Sequence, residues 1–213
     1  MSTHPPIDLS LYLVTDAPER CGHGLLETVQ RAVRGGVTVV QYRRENAGYA
    51  EMLQEARPLR EYLRRAGIPF IVNNEVELAL ELQADGIHVG QADMPVEQVR
   101  RLVGPGMVVG ISVSNAGEMR AVDPAAADYV GCGPVFTTAT KPDAAPAIGL
   151  EGWAELSALC PLPLVAIGGI TAARARAIRA AGRCDGFAVV SAICSAADPA
   201  AAAAEILSTI HQP

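Results

Sequence analysis

The chain has 213 residues, 50% hydrophobic and 19% charged, with a formal charge of −6. That length can bury one full core, and the absence of a separate basic tract excludes a broad footprint on nucleic acid or on an anionic membrane. Five cysteines, Cys21, Cys132, Cys160, Cys184 and Cys194, form no C-x-x-C pair and read as free thiols of a reducing compartment. The N-terminus has no basic start, and no uninterrupted apolar run reaches about 18 residues, so the expectation is one cytoplasmic domain spanning 1–213, without signal peptide or transmembrane helix.

In chain order, apolar runs at 9–16, 37–43, 68–73, 86–90, 107–114, 128–136, 162–170 and 185–193 predict eight strands buried on both faces. Amphipathic stretches between them predict eight helices. Several should stop at Gly36, Gly67, Gly104 and Gly182, where a left-handed ending suits glycine. Eight βα units predict an α/β fold, a compact single-domain (β/α)8 TIM barrel, with short loops because such barrels usually run to about 250 residues. An open doubly wound sheet would want a glycine-rich turn after its first strand, where this chain has "TDAPERCGHG".

Polar residues recur at the C-terminal ends of these strands, the face where barrel enzymes build their sites. Gln41 and Arg43 end the second strand, with Arg44 and Glu45 beginning the loop. Asn73 and Asn74 end the third, "HVGQAD" carries the fourth through His88 to Asp93, and Ser112 and Ser114 end the fifth. "GPVFTTATK" leads from the sixth to Thr138, Thr140 and Lys141. Arg43 and Lys141 supply positive charge, hydroxyls and amides supply neutral donors, and Asp93 is a hard oxygen ligand suited to magnesium. "AIGGIT" adds backbone amides and Thr171 as a helix cap, and "VVSAI" repeats a similar turn at Ser191. Two anion sites on one rim imply two phosphorylated substrates or one long one.

Plainer readings stand beside these. Arg44 and Glu45 read as a solvated loop pair, His88 as a hydrogen-bonded core residue, and Asn73 and Asn74 as caps of the next helix. No HExxH, zinc cluster or GxSxG elbow is present. A site rich in anion donors and poor in bases suits loss of pyrophosphate, where positioning and charge stabilisation dominate.

The stretches "YLVTD", "VVQYR", "IVNN", "GIHVGQAD", "GISV", "GPVFTTATK", "VAIGGI" and "VVSAI", taken in order, resemble the thiamine phosphate synthase family over nearly the whole chain. The resemblance implies a (β/α)8 barrel that uses magnesium to join a hydroxymethylpyrimidine pyrophosphate to a thiazole phosphate. The reaction would be dissociative, passing through a pyrimidinylmethyl cation. It further implies that Gln41, Arg43, Asn73 and Lys141 hold pyrophosphate, with Ser112 near it and the pyrimidine amine, so that Arg43, Ser112 and Lys141 act in catalysis. Asp93 would bind magnesium, and Thr138, Thr140, Gly169, Val190 and Ser191 the thiazole phosphate.

Two positions depart from the family pattern. Glu45 stands where the family has lysine, and Asn74 where it has a second metal-binding aspartate. Asn74 is then a weak metal ligand, and Glu45 could turn inward as the substitute carboxylate. The sister thiazole tautomerases place a histidine where this chain has Pro134, which cannot move a proton; a silent binder of thiazole phosphate is the other alternative. A homodimer, small-molecule substrates, and no nucleic-acid or membrane partner complete the expectations.

Overall fold

Eight short strands, buried along all or nearly all of their length, wind into a closed parallel barrel in which every strand pairs with its sequence neighbours and β8 closes on β1. The computed structural model describes residues 6–140 and 145–210. The strands are β1 (Leu11–Val14), β2 (Val39–Tyr42), β3 (Phe70–Asn73), β4 (Gly86–Val89), β5 (Val108–Val113), β6 (Tyr129–Cys132), β7 (Leu164–Ile167) and β8 (Gly186–Val189). Helices α1 (Leu25–Arg34), α2 (Tyr49–Ala66), α3 (Val76–Glu81), α4 (Val96–Val103), α5 (Ala116–Arg120), α6 (Gly149–Leu159) and α7 (Ala172–Ala181) follow the first seven strands. After β8 come the short α8 (Ser191–Cys194) and then α9 (Pro199–Ile210). The expected (β/α)8 barrel is therefore the observed one.

Two apolar clusters hold it. The larger packs the outer strand faces against the helices, around Leu11, Phe70, Ile87 and Trp153. The smaller fills the barrel interior with Tyr12, Val39, Ile71, Val108, Tyr129 and Val165. This division follows from the two-residue period of a strand, which sends neighbours to opposite faces. It also explains why the strands read as continuous apolar runs, since both faces are covered.

The N-terminal end of the barrel carries a recurrent clamp. The residue just before each even-numbered strand accepts a hydrogen bond from the start of the preceding odd-numbered strand. Thr38 Oγ1 accepts from Leu11 N at 3.0 Å, Asp85 from Phe70 N at 2.8 Å, Asp128 from Val109 N at 2.8 Å and Asp185 from Leu164 N at 2.8 Å. Arg60, Arg100 and Arg183 pair with the three aspartates in turn. The aspartates thus serve register at the end opposite the site.

Two expectations need correction. The run 185–193 is strand only to Val189; Ser191 starts α8, because a continuous apolar run does not distinguish a strand from a buried helical turn. Gly36, Gly67 and Gly104 have positive φ, but Gly182 is extended at −179°. Its constraint is space, since a Cβ there would lie 2.3 Å from Ser157 Oγ.

Candidate active site

Strand alternation places Gln41 on the inner row of β2 with Val39, and Ser112 on the inner row of β5 with Val108 and Gly110. Gln41 is buried, and its Nε2 donates to the Tyr12 hydroxyl at 2.8 Å. From there a file of hydrogen bonds crosses the barrel. The Tyr12 and Tyr129 hydroxyls are 2.7 Å apart, Tyr129 Oη is 2.9 Å from His88 Nδ1, and His88 Nε2 is 2.9 Å from Ser112 Oγ. Space for the rings comes from two glycines. A Cβ on Gly110 would lie 2.4 Å from Tyr129 Oη and 2.5 Å from His88 Nδ1, and one on Gly131 would lie 3.1 Å from His88 Cε1.

Burial alone pushes His88 down to about 4, so its ring is neutral near pH 7. Burial also raises both tyrosines, most strongly Tyr129, where the neighbouring Tyr12 adds to the effect. The file therefore carries no charge. His88 is the bonded core residue that its apolar strand suggested, but its partners include Ser112, one of the candidate site residues. Tyr12 and Tyr129 were missed because each is embedded in an apolar strand, where a tyrosine ring usually signals packing.

Arg43 sits just above Gln41. Its backbone is held to Thr15, whose Oγ1 accepts from Arg43 N at 3.0 Å, while its guanidinium is bound by the Glu45 carboxylate. Glu45 is half exposed and faces Arg43, an arrangement different from the inward metal ligand expected of it. Nor do Arg44 and Glu45 form a solvated pair. Arg44 is largely buried and pairs with Glu19, Glu51 and Glu55, which ties the loop to α2.

Asn73 ends β3, and Asn74 follows with φ at +62°, a left-handed conformation that asparagine tolerates better than most residues. Neither caps α3, whose preceding residue, Glu75, makes no side-chain cap. Instead Asn74 N donates to His88 O at 2.9 Å and Asn74 Nδ2 to Asp93 Oδ1 at 3.0 Å. Gly90 N donates to Asp93 Oδ2 at 2.7 Å, which fixes the carboxylate above β4. Asn74 Oδ1 is buried without a hydrogen-bond partner among the described residues. An orphaned amide oxygen beside a carboxylate is a hard-oxygen pair, and magnesium commonly takes one or two such protein ligands and completes its shell with substrate phosphates and water. Among the described residues no cluster of three His, Cys, Asp or Glu could hold a metal unaided.

A second segment lies across the rim. The loop after β6 is bonded to the end of β7 through Val135 N to Ile167 O at 2.8 Å and Phe136 N to Gly168 O at 3.1 Å. Gly168 and Gly169 have φ of +97° and +63°, and a Cβ on Gly169 would lie 2.9 Å from Thr137 O. Only residues without a Cβ at 168 and 169 let these loops meet. Thr138 and Thr140 bond to each other at 3.3 Å, and Thr171 caps α7 by accepting from Arg174 N at 3.4 Å. Arg174 stacks on Phe136 at 4.6 Å and donates to Gly169 O at 2.7 Å. Val190 precedes α8 and its carbonyl accepts from Ile193 N at 3.1 Å and Cys194 N at 2.9 Å, so that Ser191 stands at the open N-terminal end of this short helix. Lys141 and the three residues after it lie outside the described residues; Ile148 N bonds Pro134 O at 2.9 Å. Ser114 is engaged by Glu118 at 2.9 Å, in the start of α5.

The comparisons with known proteins agree with one another. The chain is 52% identical to a thiamine-phosphate synthase of Laribacter hongkongensis, covering 94% of each chain. It is 47% identical to one of Chloroflexus aurantiacus, covering 97% of this chain and 94% of that one. Among solved structures it resembles a thiamine phosphate pyrophosphorylase from Pyrococcus furiosus, with a TM-score of 0.84 and 35% identity over 95% of this chain and 96% of that one. The thiamine monophosphate synthase family profile matches residues 11–193, and the chain belongs to that family.

Proposed function

We propose that the chain joins 4-amino-5-hydroxymethyl-2-methylpyrimidine pyrophosphate to hydroxyethylthiazole phosphate, giving thiamine phosphate and pyrophosphate. It is an enzyme, a transferase of the thiamine-phosphate synthase type. The observation that carries the reading is the pairing, on one rim, of the Gln41, Arg43, Asn73, Ser112 and Asp93 group with a separate glycine- and threonine-rich segment. The first suits a pyrophosphate and the second a phosphate.

In this reading Gln41, Arg43, Asn73 and Lys141 hold the pyrophosphate, and Ser112 donates to it. Thr138, Thr140, Gly169, Val190 and Ser191 receive the thiazole phosphate, largely through main-chain amides. Asp93 and Asn74 Oδ1 would hold magnesium, which when bound supplies positive charge to the leaving group. Glu45 could join them only by leaving Arg43. The methylene C–O bond breaks with its electron pair going to pyrophosphate, and the thiazole nitrogen forms the C–N bond to the resulting cation. The residues hold both partners in line and stabilise charge; no side chain need remove a proton. A tautomerase needs such a base, yet His88 is bonded at both ring nitrogens and Pro134 has none to offer.

A cytoplasmic location belongs to the same proposal, supported by five free cysteines; among the described residues no helix is long and apolar enough to cross a membrane. The homodimer is likewise proposed, with light scattering as its check. The deciding assay mixes protein, magnesium and both substrates and quantifies thiamine phosphate and pyrophosphate. Equal yields that vanish without magnesium are expected; folded protein that forms no product overturns the reading.

A further inference from the structure

The file from Gln41 to Ser112 has a direction, and each bond in it restricts the next. An amide nitrogen can only donate, so the Tyr12 oxygen accepts from Gln41 Nε2. Among the described residues the remaining partner of the Tyr12 hydroxyl is Tyr129, 2.7 Å away, so its proton points there. Tyr129 then accepts from Tyr12 and sends its own proton to His88 Nδ1 at 2.9 Å. A neutral imidazole carries one proton, and with Nδ1 accepting, that proton sits on Nε2. It is donated to Ser112 Oγ at 2.9 Å. The serine oxygen is thereby occupied on its acceptor side, and its hydrogen is left pointing away from the file.

We propose that Tyr12, Tyr129 and His88 are positioning residues that fix the direction of the hydrogen bonds beneath the site, so that Ser112 is held as a donor toward an anionic group of the substrate. Were the Gln41 amide reversed, every bond would reverse with it. His88 would carry its proton on Nδ1, and Ser112 would spend its hydrogen on His88 and meet the anion with a lone pair. The direction is one shared property of five side chains, not five separate choices. The two glycines support it from the packing side, because Gly110 and Gly131 leave room for both rings where any Cβ would press on them. The inference rests on the synthase reading for the identity of the anion, but the direction of the file does not.

Two measurements test it. The first is nitrogen NMR of the histidine rings in the wild-type protein near pH 7, with His88 assigned through its backbone. A protonated Nε2 and a bare Nδ1 are expected, and a proton on Nδ1 overturns the proposal whatever the enzyme does. The second titrates inorganic pyrophosphate, with magnesium, into wild type, Ser112→Ala, Tyr129→Phe and the double variant. Ser112→Ala should weaken binding about tenfold, the range of one hydrogen bond to a charged group. Tyr129→Phe should weaken it several-fold alone and add nothing in the Ser112→Ala background, because its effect passes through the serine. Additive losses would show that Tyr129 acts through packing and would overturn the positioning role. Failure of the wild type to bind pyrophosphate would instead overturn the synthase reading, with the ring tautomer still deciding the direction.

Discussion

The guanidinium of Arg43, at the mouth of the barrel, is bound by the carboxylate of Glu45 two residues on. In the proposed reaction the substrate anion would have to displace that carboxylate to use the arginine, and the carboxylate would repel it meanwhile. Replacing Glu45 with lysine should therefore lower KM for the pyrimidine pyrophosphate about two- to fivefold with little change in kcat, the scale of a half-exposed ion pair. Steady-state kinetics at low and high salt would show it, with the gain shrinking as salt rises. An unchanged KM at low salt would remove Glu45 as a competitor.

Asn74→Asp changes the proposed magnesium ligands. Two carboxylates facing each other without a cation repel, so the variant should melt below the wild type in chelator. It should also gain more in melting temperature on adding magnesium, since a ligand that binds only the folded state stabilises it by mass action. Thermal unfolding across a magnesium series is the measurement. Parallel curves for the two proteins would argue that position 74 does not approach the ion.

The pH dependence of stability carries a signature of His88. Its folded value of about 4 lies below the ordinary 6.5, so the unfolded chain binds the proton more readily. The neutral ring's contribution is complete above about pH 6.5 and is lost as pH falls toward 4, where it amounts to about 3 kcal/mol. Urea unfolding at pH 7 and at pH 4.5 should show a smaller loss in His88→Gln than in the wild type. Equal losses would place the titration elsewhere.

Gly169→Ala should separate the two substrates. The added methyl meets Thr137 O and Arg174 Nη1, each at 2.9 Å, on a left-handed backbone that costs alanine about 1 kcal/mol or more. KM for the thiazole phosphate should rise about tenfold or more, with KM for the pyrimidine pyrophosphate nearly unchanged. Comparable rises in both would mean that the strain spreads through the barrel.

The barrel was legible because eight apolar runs alternate with amphipathic ones, and a parallel sheet with both faces covered leaves that imprint. The placement of Gln41, Asn73 and Ser112 near strand ends, with Asp93 just beyond β4, was legible because polar residues there repeat on one rim. Less visible were features that depend on three dimensions. Arg44 looked like a partner for Glu45 because the two adjoin in sequence, whereas the chain sends Arg44 to α2 and Glu45 to Arg43. The four residues of α8, Ser191–Cys194, make about one turn and carry too few positions to show a helical period. The clamp aspartates Asp85, Asp128 and Asp185 do leave a trace, an acid immediately ahead of a strand in three places, but nothing in the sequence says which backbone amide each one meets.

The clamps at the base have a consequence for how such a barrel can change. Each ties strands one and two, three and four, five and six, or seven and eight, and none crosses between those pairs. The molecule is thus laid out as four modules, each with its own local lock at the foot. Substitutions at the crown, at positions such as 45 and 74, can accumulate module by module while the alignment of the staves below stays as it was.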